Sequence, residues 1–151
     1  MHAKIYEIET LKGYIENDCY GGYELPDWWT EYYADWFDEE DDETRKASIE
    51  WLSDEVDIAD DVIDFSGKKG KKRLQDAYVK AVSSALELAS LNFEEFSTGV
   101  GFHKAQQISS AVEDKFHHWF YINDCEMCSL DEMLHRGGKF YLTGRTWDYH
   151  Y

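Results

Sequence analysis

Between residues 24 and 64 the chain carries 17 carboxylates against two bases, Arg45 and Lys46, a net charge of −15. The remaining 110 residues sum to only −2 of the total −17. So much like charge in about a quarter of the length opposes compaction by self-repulsion. Such a segment folds only if its acids turn outward over a strong apolar support. That support lies in the same stretch: DWWTEYYADWFDEEDD, residues 27–42, sets six aromatics directly before a run of acids.

Trp29, Tyr32, Tyr33, Trp36 and Phe37 recur at the spacing of one helical face, with Asp27 after Pro26 placed as an N-cap. Glu31, Asp35 and Asp38 fall on the opposite side. After the acidic run Asp38, Glu39, Glu40, Asp41, Asp42 and Glu43, the spacing predicts a second helix reaching Ser66-Gly67, with Ile49, Leu52, Val56, Ala59 and Ile63 as its stripe. On that helix Glu50, Asp54, Asp57, Asp61 and Asp64 share an arc of about 80°. Each like-charged neighbour pair costs an isolated helix a few tenths of a kcal/mol. The expected ridge therefore points to recognition, and Trp51 on its flank supplies a candidate anchor.

A length of 151 residues suits one domain, residues 1–151, and 43% hydrophobic content is enough for a core. KIYEIE, a strand, and the following GYIENDCYGGYEL read together as a hairpin, and KFYLTGRTWDYHY as a closing strand or hairpin. KKGKKR, residues 68–73, reads as a basic loop that offers counter-charge to the acidic region. RLQDAYVKAVSSALELASLN is a helix expected at the centre of the fold, and HKAQQISSAVEDKFHHWFYI another. Ser129 and Glu132 have capping-box spacing for a short helix ending at Gly137-Gly138. The expected fold class is α+β, with about four helices packed on a small antiparallel sheet formed by the N- and C-terminal strands.

Strong acidity disfavours nucleic acid and anionic membranes as direct partners and favours cationic proteins. Three cysteines form no disulfide framework, and neither a signal-length apolar core nor a membrane-length run occurs, so a cytoplasmic location, the cell's own or a host's, is expected. In HHWFYINDCEMC, His117, His118, Cys125 and Cys128 offer a zinc-type ligand set, but adjacent histidines on a helix diverge by about 100° and no second CxxC follows. No phosphate loop, nucleophile elbow or HExxH is present.

YYADWF, Tyr32 to Phe37, resembles a stretch in the acidic DNA-mimic anti-restriction inhibitors of phages and mobile elements. What the resemblance implies is a mode of action: a non-catalytic protein that occupies the cationic groove of a nucleic-acid-binding protein or nuclease, without a cofactor. Immunity proteins that plug toxic nucleases use the same physics. The competing expectations are a small zinc module or metal-dependent enzyme built on the HH…CxxC region, and an acidic adaptor that binds through an apolar flank.

Overall fold

The computed structural model describes residues 2–11, 25, 27, 36–109, 117–123 and 126–150. It is α+β, as expected, but its sheet is larger and mixed. The described residues form seven strands: β1 His2–Thr10, β2 Trp36–Glu39, β3 Asp57–Ala59, β4 Val62–Asp64, β5 His118–Ile122, β6 Glu126–Ser129 and β7 Lys139–His150. Five described helices join them: α1 Asp42–Ser53, α2 Lys68–Ser90, α3 Phe93–Ser97, α4 Val100–Ser109 and α5 Leu130–Arg136. The sheet order is β3-β4-β7-β1-β5-β6, with β2 also on the β7 edge.

The N- and C-terminal strands pair antiparallel at the centre, and β1 pairs parallel with β5. β7 is one continuous strand, not a hairpin about Gly144. Between the pairs Tyr6↔Thr146 and Ile8↔Leu142 its register shifts, and the extra residues bulge at Gly144, whose φ of 146° suits glycine.

One face of the sheet carries Tyr6, Ile8, Phe120, Ile122, Phe140 and Leu142, covered by Leu52 of α1 and by Leu130, Met133 and Leu134 of α5. Ala3, Ile5, Tyr121, Trp147 and Tyr149 form a second cluster with Leu25. The two sets alternate along β1 and β5, as strand side chains must.

Three expected helical segments are strands. Trp36 and Phe37 lie in β2, where aromatic residues suit an extended chain. Trp119 and Phe120 lie in β5. The predicted helix to Ser66 stops at Ser53, and residues 57–64 form a hairpin in which Ile58 faces Ile63 and Ala59 faces Val62. Asp60 and Asp61 make its turn at φ 51° and 59°, a left-handed geometry that aspartate tolerates. The apolar residues of this stretch fit both periods. Its β-branched residues and the repulsion along a continuous acidic helix favour the hairpin.

The KKGKKR segment is helix, the opening turns of α2, rather than a loop. Gly70 lets α2 approach the body closely, since a Cβ there would lie 2.5 Å from the Phe65 carbonyl oxygen and 2.9 Å from Leu134 Cδ2. Beyond Leu74, α2 is mostly exposed and packs on α4, so it does not occupy the centre of the fold. The centre is β1 and β7, because their cross-strand pairing reaches both faces of the core.

Candidate functional site

Asp41 caps α1, accepting hydrogen bonds from the Thr44 backbone N–H at 2.9 Å and from the Thr44 hydroxyl. These bonds hold its carboxyl below the usual carboxylate range. Asp42 and Glu43 follow in the first turn, where the helix dipole favours negative charge.

A line of polar contacts fixes α1 to the sheet. Glu40 accepts from Lys4 of β1 and from the Ser48 hydroxyl at 2.8 Å, and Lys4 also lies 3.4 Å from Asp148. The Tyr6 hydroxyl donates to the Ser48 carbonyl oxygen at 2.9 Å and sits 3.1 Å from His118 Nδ1. Tyr6 has a single hydroxyl proton, so in this arrangement Nδ1 of His118 is the donor to the Tyr6 oxygen. His118 is 2% exposed, and burial, reinforced by the neighbouring His117 and by Arg73, lowers its pKa to about 3. The imidazole is therefore neutral at ordinary pH. The Trp51 ring lies against it, tilted by 55°, at a centroid distance of 4.3 Å while remaining 38% exposed.

The five-carboxylate ridge does not exist as a helical line, because Asp57, Asp61 and Asp64 belong to the hairpin. Asp57 accepts from the Lys69 backbone N–H at 3.0 Å, at the start of α2. Asp64 lies 3.6 Å from Lys139 and Glu39 lies 3.3 Å from Arg145, while Glu40 and Glu55 are held by Lys4 and Arg73. Part of the acidity is thus neutralised inside the molecule. Glu31 and Asp35 lie outside the described residues, as do Trp29, Tyr32, Tyr33, all of the GYIENDCYGGYEL segment but Leu25, and most of the YYADWF stretch.

A shorter ridge remains on α1. Stepping about 100° per residue from Asp42 places Glu50, Glu43 and Asp54 at about 80°, 100° and 120°, opposite buried Ser48 and Leu52 at about 240° and 280°. These three carboxylates are exposed and form no ion pair with a lysine or arginine among the described residues. Asp38, Asp41 and Asp42 extend the acidic surface at the helix start, and Asp60 and Asp61 are exposed at the hairpin turn. Trp36 and Phe37, also exposed, stand beside Asp38 on β2. Helical periodicity assigned both aromatics to the core. Their strand propensity and the abrupt onset of acids at Asp38 were the signals for an exposed edge.

Of the candidate zinc ligands, the described His117, His118 and Cys128 form no metal-holding group. His118 points into the α1–sheet contact, and His117 is half-buried beside Trp51. Cys128 is buried, and desolvation with the Glu126 carboxylate beside it pushes its thiol up to about 12, disfavouring the thiolate a metal needs. Among the described residues no group of three or more histidine, cysteine or acidic side chains is arranged to hold a metal ion. Cys125 lies outside them. No described helix is long and apolar enough to cross a membrane. Comparison of the chain with protein-family models, with curated proteins and with solved structures returns no match.

Proposed function

We propose that this protein is a non-catalytic inhibitor whose acidic α1 face enters the basic groove of a nucleic-acid-binding protein or nuclease in place of nucleic acid. The supporting observation is the alignment of Glu43, Glu50 and Asp54 on the outward line of a helix whose inward side is fixed by Glu40, Ser48 and the Tyr6–His118 pair. Their axial separations are about 10 and 6 Å. Those spacings are two to three times the roughly 3.4 Å rise per phosphate of a DNA strand, so the face matches every second or third phosphate. A rigid array selects among cationic surfaces, whereas a flexible acidic tail attracts them indiscriminately. Trp51 adds an aromatic surface at the flank of the array, suited to packing against an arginine.

Asp38, Asp41, Asp42, Asp60 and Asp61 widen the field that steers the partner. Glu39, Glu40, Glu55 and Asp64 act mainly within the molecule, through their own lysines and arginines. The test is competition: basic nucleic-acid-binding proteins captured on the immobilised chain at low salt are challenged with duplex DNA. Release by DNA and by salt, together with at least about tenfold weaker capture by the Glu43→Gln, Glu50→Gln, Asp54→Asn triple variant, is the expected result. Capture indifferent to DNA, or unchanged in the triple variant, overturns the proposal.

A further inference from the structure

α2 has two apolar faces, and only one is covered. Leu74, Ala77, Ala81, Ser84 and Leu88 are turned inward, and most of that side packs on α4. A second strip, centred about 120° away around the helix, carries Tyr78, Val79, Val82, Ala85, Leu86 and Ala89. All six are exposed, Leu86 by 68%. An isolated helix gains nothing from a second apolar strip of this width, which has the spacing of a helix-pairing seam.

The charges on the strip identify what covers it. Residues 68–109 carry seven bases and four acids, a net of +3 that leaves −20 on the rest of the chain. Two copies therefore repel strongly everywhere except along this arm. Of the cations at the start of α2, Lys72 pairs with Asp76, Arg73 with Glu55, and Lys69 bonds the Ser53 carbonyl. Lys68 and Lys71, on the exposed strip itself, have no acidic partner among the described residues. Acids Glu94 and Glu95 stand just beyond the other end, in α3. This polarity runs against the helix dipole, which disfavours cations at an N-terminus.

We propose that the uncovered strip of α2 is a homodimer interface in which a second copy's α2 packs antiparallel about a twofold axis near Val82. In that register Tyr78 meets Leu86 of the other copy, and Lys71 comes opposite the start of the other copy's α3, beside Glu94. The two spans agree: Lys71 lies about 16 Å before Val82, and Leu91 about 14 Å after it. Because α2 leaves the body at its N-terminal end, the antiparallel arrangement holds the two acidic bodies at opposite ends of a helix about 34 Å long. A parallel pair would set them side by side. The acidic face of α1 plays no part in this contact, so the dimer stands or falls independently of the proposed inhibitor role.

Sedimentation equilibrium of the full chain across micromolar concentrations tests the interface. Wild type is expected to be dimeric. Val82→Glu, which opposes two carboxylates across the axis, is expected to weaken association about 100-fold or more, while at dilutions where both proteins are monomeric its circular dichroism and melting match those of wild type. Lys71→Glu should weaken the dimer and the double variant Lys71→Glu, Glu94→Lys should restore it. A wild-type monomer at 100 μM overturns the proposal and leaves the strip to a different protein. So does a dimer that Val82→Glu leaves intact, or a charge reversal that fails to rescue.

Discussion

The sheet with α1 and α5 and the arm formed by α2, α3 and α4 use apolar residues in opposite ways. In the body Tyr6, Phe65, Phe120, Leu52 and Met133 are fully enclosed. In the arm Phe93 and Phe102 are 82% and 71% exposed, and the buried positions are Gly70, Ser84 and Gly101. The charges divide the same way, −20 on the body with the remainder of the chain and +3 on the arm. A core can carry a repelling acidic surface because burial of apolar area outweighs each surface repulsion. The arm has no comparable core, so its helicity rests on good helix formers such as alanine, leucine and glutamate, on the α2–α4 contact and on whatever covers it.

The widest separation between the two regions should come from truncating a large side chain in each. Phe120 stacks on Tyr6 and meets Phe65 edge-on, inside the body. Phe120→Ala should cost about 3–5 kcal/mol in urea unfolding. Leu86→Ala, measured at concentrations where the chain is monomeric, should stay within about 0.5 kcal/mol. Comparable losses at both positions would mean that the arm belongs to the same cooperative core.

Acid should weaken the body through one residue. The unfolded chain protonates His118 below pH 6.5, whereas the folded protein resists protonation down to about 3. Stability contributed by the neutral imidazole is thus complete above pH 6.5 and declines as pH falls towards 3. Over the first two pH units the loss should be about 2–3 kcal/mol. The depressed carboxyls of Asp41 and Glu126 add their losses only below the ordinary carboxylate range. His118→Phe should flatten the stability profile between pH 6.5 and 4.5, and a profile unchanged by that substitution would exonerate His118.

The junction between the regions is the next most sensitive point. Alanine normally stabilises a helix relative to glycine by about 1 kcal/mol. At Gly70 the added methyl would strike the Phe65 carbonyl and Leu134. Gly70→Ala should therefore destabilise by about 1–3 kcal/mol, an inverted sign that equilibrium unfolding reads directly. Stabilisation instead would show that α2 does not seat closely on the body.

How much of this division was legible in the sequence depended on what competed locally. Ser129 and Glu132 marked α5 because a capping box is satisfied within four residues, and both of its bonds form. The β1–β7 pairing followed from terminal segments rich in strand formers. The hairpin at residues 57–64 is hidden in the sequence because Val56, Ala59 and Ile63 continue the helical stripe of Ile49 and Leu52, while the decisive contact, Leu142 N–H to the Asp61 carbonyl, is 81 positions away. The acidic face was legible as composition but not as geometry. Lys4, Arg73, Lys139 and Arg145, which neutralise part of it, lie far away in the chain. The spacing of α2 shows a helix with abundant apolar residues, which predicts a place at the centre of the fold; that Tyr78, Val82 and Leu86 stay exposed depends on packing partners distant in the chain.

The same capping motif occurs once in each region, which gives the finest comparison. In the body Ser129 accepts from the Glu132 N–H while the Glu132 carboxylate accepts from the Ser129 N–H at 2.7 Å. In the arm Asn92 and Glu95 repeat the exchange at 3.0 and 2.9 Å. Removing either cap with alanine should cost its helix about 1 kcal/mol. α5 seats Leu130, Met133 and Leu134 in the core, so Ser129→Ala should lower global stability by that amount. α3 buries no residue, so Asn92→Ala should leave the unfolding midpoint unchanged and accelerate amide exchange only locally, within residues 93–97, by about fivefold. A shift in the global midpoint by Asn92→Ala equal to that of Ser129→Ala would erase the distinction, because it would require α3 to unfold only when the sheet does.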